Sequence, residues 1–321
     1  MTPHDTDNPD ILDLLPRLAD DDAGVRRIAL IELADLEDPE GLPWLTAALA
    51  SDDAAEVRAE AARLLEAWEE PEVVQALCAA LTDGADPVRV AAAQSLSELK
   101  SLEAGRLILP WVSHADAFVR ASSLRALREL RLEEAAGPAL LALEDAEATV
   151  RREAVGILGW LKQEAALPAL ARLASDDADT EVRRTATGAL GLARGAEVLP
   201  ALFAALGDGA WQVREEAATT LGKLGLAEAG AALARALADD YWQVRLRAAR
   251  ALGRLRYREA GGGLAELLLH GIANLRKEAA LALGELGDST ALPVLRAAEA
   301  DGDPEVRKAV RIALAQLQGA A

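Results

Sequence analysis

The 321-residue chain has little of what carries most protein chemistry: one cysteine, three histidines, two tyrosines and two phenylalanines. One cysteine excludes an intramolecular disulfide, and three histidines are too few for a histidine-rich metal site. Aromatics make up only 3% of the residues although hydrophobics reach 51%, so the apolar share is mostly alanine, leucine and valine. Ordinary cores take their bulk from aromatic side chains. A chain rich in Ala and Leu points instead to closely packed helices. No apolar run approaches the ~18 residues a membrane span needs. The opening MTPHDTDNPD lacks the basic and apolar segments of a secretory signal, so a cytoplasmic protein with no membrane partner is expected. Basic residues are also scarce relative to acidic ones. With 34 against 53 the net charge is −19, which argues against non-specific binding of nucleic acid or anionic lipid.

What the chain does have is a repeat. A Val-Arg pair, once Leu-Arg, recurs at intervals of 31 or 32 residues, at Arg26, Arg58, Arg89, Arg120, Arg151, Arg183, Arg214, Arg245, Arg276 and Arg307. Repeats at such spacing mark stacked helical units. The two longer intervals coincide with longer loops, SDDAAEVR and SDDADTEVR, so the insertions fall in turns. In the seventh unit AEVLPALFAAL reads as a first helix (A), GDGA as a turn, and VREEAATTLGKLG as a second helix (B) closed by Gly225. The B helices are predicted to start near Val25, Val57, Val88, Val119, Val150, Val182, Val213, Val244, Leu275 and Val306. Relative to each Arg, positions −1, +3, +7 and +10 form one apolar stripe. No linker interrupts the array. The expected organisation is a disordered acidic tail over 1–8 and a single solenoid over 9–318.

VREEAATTLGKLG, VRLRAARALGRLR and LRKEAALALGELGD resemble HEAT repeats, and more closely the roughly 30-residue subtype named after phycobilisome lyases. The resemblance covers about residues 10–318. It implies an all-α fold, an α-solenoid in which about ten helix-turn-helix repeats form a right-handed superhelix with the B helices lining its concave side. It leaves function open, because the same repeat serves adaptors, chromophore lyases, hydroxylases and DNA glycosylases. Hydroxylases of this type carry His-Glu dyads, and this sequence has no His-Glu dipeptide.

The ten arginines read as a structural ladder donating to turn carboxylates and carbonyls of neighbouring units, with Asp22, Asp53, Asp86, Asp116, Asp179 and Asp303 close by. His114 and His270 both lie six residues before their Arg, where other units have Asp, and read as exposed turn residues; His4 falls in the tail. Cys78 reads as a buried hydrophobe rather than a reactive thiol. The run Gly261, Gly262, Gly263 lacks a phosphate-loop pattern and reads as close packing or a hinge. No acid/base pair or nucleophile set emerges, and no metal or cofactor is expected. Trp44, Trp68 and Trp111 read as core packing, while Pro110 should kink or shorten its helix.

The exposed side of helix B is assigned to positions +1, +2, +5, +8 and +9, whose formal charges total +2 along the chain. Outside these and the ladder the chain carries −31, so acidity resides on the A helices and turns. A candidate groove combines Gly156 and Gly188 with Trp160, Leu192, Arg152 and Arg184, extended by Arg125 and Arg128 and by Leu246, Arg247, Arg250 and Arg254. Trp and Arg are enriched in interface hot spots. A second candidate surface is the turn edge at Phe118, Trp211, Tyr241 and Trp242, read either as a ledge for a partner or as staples over helix starts. The leading expectation is a non-enzymatic scaffold or adaptor that holds a protein or peptide segment, preferably acidic, on the helix-B face. A phycobilin-type lyase or isomerase is the alternative. A HEAT-like DNA glycosylase fits poorly with so little basic surface, and nucleic acid is an unlikely partner. Oligomeric state is not legible.

Overall fold

The protein's structure, a computed structural model, describes residues 6–319. His4 and most of the expected tail lie outside these residues. Thr6 and Asn8, at the tail's end, are tied down: Thr6 Oγ1 donates to Glu40 at 2.7 Å and Asn8 Nδ2 to Asp38 at 2.7 Å. Asn8 also caps the first helix, Pro9–Leu18.

Among the described residues there are twenty α-helices and no strand, arranged as ten A/B pairs in chain order. The chain divides into two compact units, one ending at Leu161 and one beginning at Lys162. Within each, every A helix packs against its own B helix, and successive B helices pack side by side. Each unit is thus a stack of helical hairpins, an α-solenoid.

Local sequence explains the pairs. Seven A helices are entered through a short 3₁₀ turn, such as Pro39–Gly41 or Ala196–Val198, which turns the chain out of the preceding B helix. Six B helices are followed, eleven residues after the Arg, by a residue in left-handed conformation that stops the helix. Gly225 (φ 67°) and Gly287 (φ 68°) suit it, but Glu37, Arg131, Lys162 and Arg256 adopt it as well. In repeat four the A helix ends at Ile108, and Pro110 lies in the 3₁₀ segment Leu109–Ser113 that replaces its last turn.

The core is the predicted apolar stripe. Val213, Ala217 and Leu221 are fully buried, as are Val244, Ala248 and Leu252 one repeat later. Cys78 is fully buried, which pushes its thiol up to about 12. Trp44 is buried, and Trp68 and Trp111 are half-buried. Two assignments change in part. At position +8, Gly222, Gly253 and Gly284 are buried against the next B helix although Glu66 and Ala315 are exposed, and at position +2, Ala91, Ser122, Glu153, Glu278 and Ala309 are buried. A Cβ on Gly222 would lie 2.8 Å from the Cβ of Ala251. Helix B is covered on both flanks by its neighbours as well as beneath by helix A, so its free arc is narrower than a helical wheel implies.

Candidate functional site

The arginines occupy the repeat junctions. Arg58 donates through Nε and Nη2 to Asp83 at 2.8 and 2.9 Å, and through Nη1 to the carbonyl of Asp52 in its own turn at 2.8 Å. Arg26–Asp52, Arg120–Asp145, Arg183–Asp208, Arg214–Asp239 and Arg276–Asp301 share this forked geometry. The partner is the Asp six residues before the next repeat's Arg, and the same carboxylate also accepts the N–H two residues on, as Asp83 does from Ala85. The aspartates nearer each Arg mostly do something else. Asp22, Asp179 and Asp303 accept from the first N–H groups of B helices; only Asp53 and Asp116 pair with a ladder arginine, Arg26 and Arg89.

His114 and His270 stand where the other repeats have the paired Asp. Each is half-buried, and its Nδ1 accepts the N–H of Asp116 or Ile272 at 3.1 Å. The imidazole reproduces the turn but offers no carboxylate to the preceding arginine. Arg89 reaches past His114 to Asp116, leaving its Nε buried without a partner. Arg245 donates to its own turn at the Asp239 carbonyl. Among the described residues, no group of histidine, cysteine or acidic side chains could hold a metal ion.

The turn-edge aromatics lie against this ladder. The Phe118 ring sits 4.5 Å from the Arg89 guanidinium and the Tyr241 ring 5.5 Å from that of Arg214. Trp211 stacks on Tyr241, centroids 5.6 Å apart, rather than on Trp242. Tyr241 is exposed, while Phe118, Trp211 and Trp242 are half-buried.

On the helix-B face of the first unit, three arginines converge on one buried carboxylate. Glu153 lies 3.1 Å from Arg128, 3.4 Å from Arg152 and 3.6 Å from Arg125. Burial of a carboxylate requires such partners, and here the cations outnumber it. Gly156 makes no hollow: the Arg128 stem fills the space its side chain would take, with Cδ 2.9 Å from a Cβ position. Beside it Trp160 is 48% exposed, with the Arg131 guanidinium 4.8 Å from its ring centroid. Sequence reasoning did not single out Arg131, which sits on the left-handed residue ending the repeat-four B helix.

The second unit's face is partly self-neutralised. Arg184 pairs with Glu181, Arg247 with Glu215 at 2.9 Å, and Arg250 holds Glu278 by two bonds of 2.7 Å. Hydrogen bonding to Glu181 and Glu278 raises the Arg184 and Arg250 guanidinium groups above their ordinary value. Glu216 fills the space above Gly188. Leu192 and Leu246 are half-buried. Arg254 makes no ion pair within 4 Å among the described residues, although it interacts electrostatically with Glu285. It faces a recess of about 670 Å³ shared with Arg256, Arg258, Glu285 and Gln316. Of these, only Arg254 was named for the groove, although Glu285 and Gln316 share its +9 position; Arg256 and Arg258 fall just past the helix end, where a helical period says nothing of direction.

A family profile described as HEAT repeats matches residues 11–97, 105–191, 173–246 and 236–315. No curated protein sequence matches the chain significantly. Among solved structures, an engineered protein is 22% identical with a TM-score of 0.56, covering 97% of this chain and 99% of its own. The Escherichia coli protein YibA is 21% identical with a TM-score of 0.61, covering 84% and 98%. Kap121p bound to Nup53p is 14% identical with a TM-score of 0.67; the match covers 97% of this chain but 42% of that one. Likeness at such identity is likeness of fold.

Proposed function

The chain belongs to the HEAT-repeat family, and from that premise we propose that it is a non-enzymatic scaffold that holds an acidic protein segment on its helix-B face. The observation carrying this reading is the cluster in the first unit, where Arg125, Arg128 and Arg152 surround the buried carboxylate of Glu153 beside exposed Trp160, with exposed Glu129 the one further acid paired to it among the described residues, 3.7 Å from Arg128. A carboxylate-bearing segment would add the anions this cluster lacks. Trp160 supplies a large apolar face at low entropic cost, flanked by Arg131, and such Trp/Arg pairs anchor interfaces. In the second unit, Leu192 and Leu246 are assigned apolar contacts and Arg184 and Arg247 a polar rim. The turn-edge aromatics are assigned chiefly to covering ladder arginines, with Tyr241 the one most available to a partner. The fold of karyopherins that bind proteins, such as Kap121p with Nup53p, is compatible with this reading. No helix among the described residues is long and apolar enough to cross a membrane, and we place the protein in the cytoplasm.

Affinity capture from the native host, comparing the wild type with Trp160→Ala and Arg125→Ala, tests the proposal. A partner retained by the wild type and lost from both variants supports it. An unchanged set of captured proteins sinks it.

A further inference from the structure

We propose that the basic recess at the C-terminal ends of the repeat-seven and repeat-eight B helices binds a phosphomonoester dianion. Four cations meet there: Lys223 from Trp211–Leu224, Arg254 from Trp242–Leu255, Arg256 just past it, and Arg258 at the start of the following 3₁₀ turn. All four are exposed, and none has a hydrogen-bonding or ion-pairing side-chain partner within 4 Å among the described residues. Two adjoining recesses of about 180 and 670 Å³ share Arg254, the first reaching Lys223 and the second Arg256 and Arg258. In a chain of net charge −19, four cations here face two nearby acidic groups, Glu285 beside Arg254 and Arg256 and Asp288 beside Arg258, which is a local reversal of sign.

Helix dipoles account for part of this arrangement. Lys223 and Arg254 lie in last turns, where a cation is favoured. They do not account for Arg258, which sits at the opposite, N-terminal kind of helix end. Where this face meets carboxylates it does so one fork at a time, as Arg250 does with Glu278. The remaining cations approach from three chain segments. That arrangement suits a doubly charged group with three acceptor oxygens better than a planar carboxylate. Glu285, the acidic group lining the larger recess, has its carboxyl pushed up on balance by desolvation and by Glu278, although Arg254, Arg250 and Arg256 act to lower it, and this weakens its competition for the same cations. Gly253, Gly284 and Gly287 form part of the wall and bring no side chain over the recess.

The residues differ from those of the first-unit cluster, so this inference stands or falls separately. The test uses the full chain and three probes: a labelled ten-residue peptide carrying one phosphoserine, the same peptide with glutamate in its place, and O-phosphoserine followed by ³¹P NMR. The phosphopeptide is expected to bind about tenfold or more tighter than the glutamate peptide. Arg254→Gln with Arg256→Gln, and independently Arg258→Gln, should each weaken it several-fold, with thermal midpoints confirming folded proteins. Glu285→Gln should tighten binding, an effect a merely structural role does not give, and Trp160→Ala should leave it unchanged. O-phosphoserine binding as well as the peptide would identify a small phosphate ester as the natural source; peptide binding well above it would identify a phosphorylated protein segment. Equal binding of phosphate and glutamate peptides, no binding of either phosphorylated probe at millimolar concentration, or indifference to the arginine variants would overturn the proposal. So would displacement of the phosphopeptide by duplex DNA at ~150 mM salt, where weak electrostatic association with DNA should be lost.

Discussion

Arg58 and Asp83 join successive repeats by two parallel hydrogen bonds, Nε to Oδ2 at 2.8 Å and Nη2 to Oδ1 at 2.9 Å. Both side chains are largely buried, at 17% and 12% exposure. Asp83 also accepts from the Ala85 N–H, so one carboxylate fixes a turn and a junction together. Replacing it by alanine strands a guanidinium and an amide, and the expected cost is about 2–3 kcal/mol. Urea unfolding of Asp83→Ala, Arg58→Ala and the double variant measures the coupling. A coupling below about 0.5 kcal/mol, the size of an ordinary surface pair, would mean that the rung is ornamental.

Acid should loosen the same junctions. Hydrogen bonds from Arg58 and Arg276 hold the Asp83 and Asp301 carboxyls below the usual range. Burial acts to raise those of Asp208 and Asp239, but bonds from Arg183 and Arg214 and from backbone N–H groups leave them lowered too. A carboxyl whose folded value is depressed contributes fully above its unfolded value of ~3.9, and the contribution is lost as pH falls through the folded value. Stability should therefore hold from neutrality to about pH 5 and fall steeply below about pH 4. Asp83→Asn, which has no proton to gain, should show a shallower acid limb in denaturant midpoints. An identical limb would assign acid unfolding to other groups.

The repeats with histidine in the ladder position offer the reverse experiment. Among the described residues Arg245 has no carboxylate partner where His270 stands, and Arg89 makes do with Asp116, a side chain 40% exposed. His270→Asp should complete a rung and raise stability by about 1 kcal/mol, the scale of one partly exposed charge-assisted pair. Arg245→Ala should correspondingly cost less than Arg214→Ala. Thermal melts at neutral pH decide the matter, and a His270→Asp variant no more stable than the wild type refutes it.

Particular residues show what the sequence could and could not reveal. The 31/32 spacing and the Val, Ala, Leu stripe were legible because each repeat buries the same face, so one period is written ten times. The ladder arginines were legible, but most of their partners were not: Asp83 sits 25 residues after Arg58, and although an Asp recurs six residues before most ladder arginines, the spacing does not say that it pairs with the Arg of the preceding repeat and not with its own. A helical wheel places Gly222 on the open side because it knows only one buried direction, whereas the neighbouring B helix supplies a second. The arginine cluster at Glu153 was half visible; its carboxylate lies on an assigned surface position and is buried only because Arg125, Arg128 and Arg152 close over it. Arg256 and Arg258 lie beyond the helix end, where direction depends on the left-handed turn and not on periodicity.

Glycine substitutions separate close packing from idle flexibility. A Cβ on Gly253 would stand 2.9 Å from the Cα of Ala282, and one on Gly284 2.7 Å from the Cα of Ala313. Those neighbours are backbone, which no side-chain rotation can clear, so two B helices would have to separate. Gly262, also helical, has nothing within 4 Å of its missing Cβ. Alanine is intrinsically favoured over glycine in a helix by about 1 kcal/mol. Gly262→Ala should therefore stabilise by up to that amount, while Gly284→Ala should destabilise by about 1–3 kcal/mol through overpacking. Paired thermal or urea unfolding of the two variants reads both signs at once. If Gly284→Ala gains as Gly262→Ala does, the spacing between those B helices is slack, and the small residues at their contact do not set it.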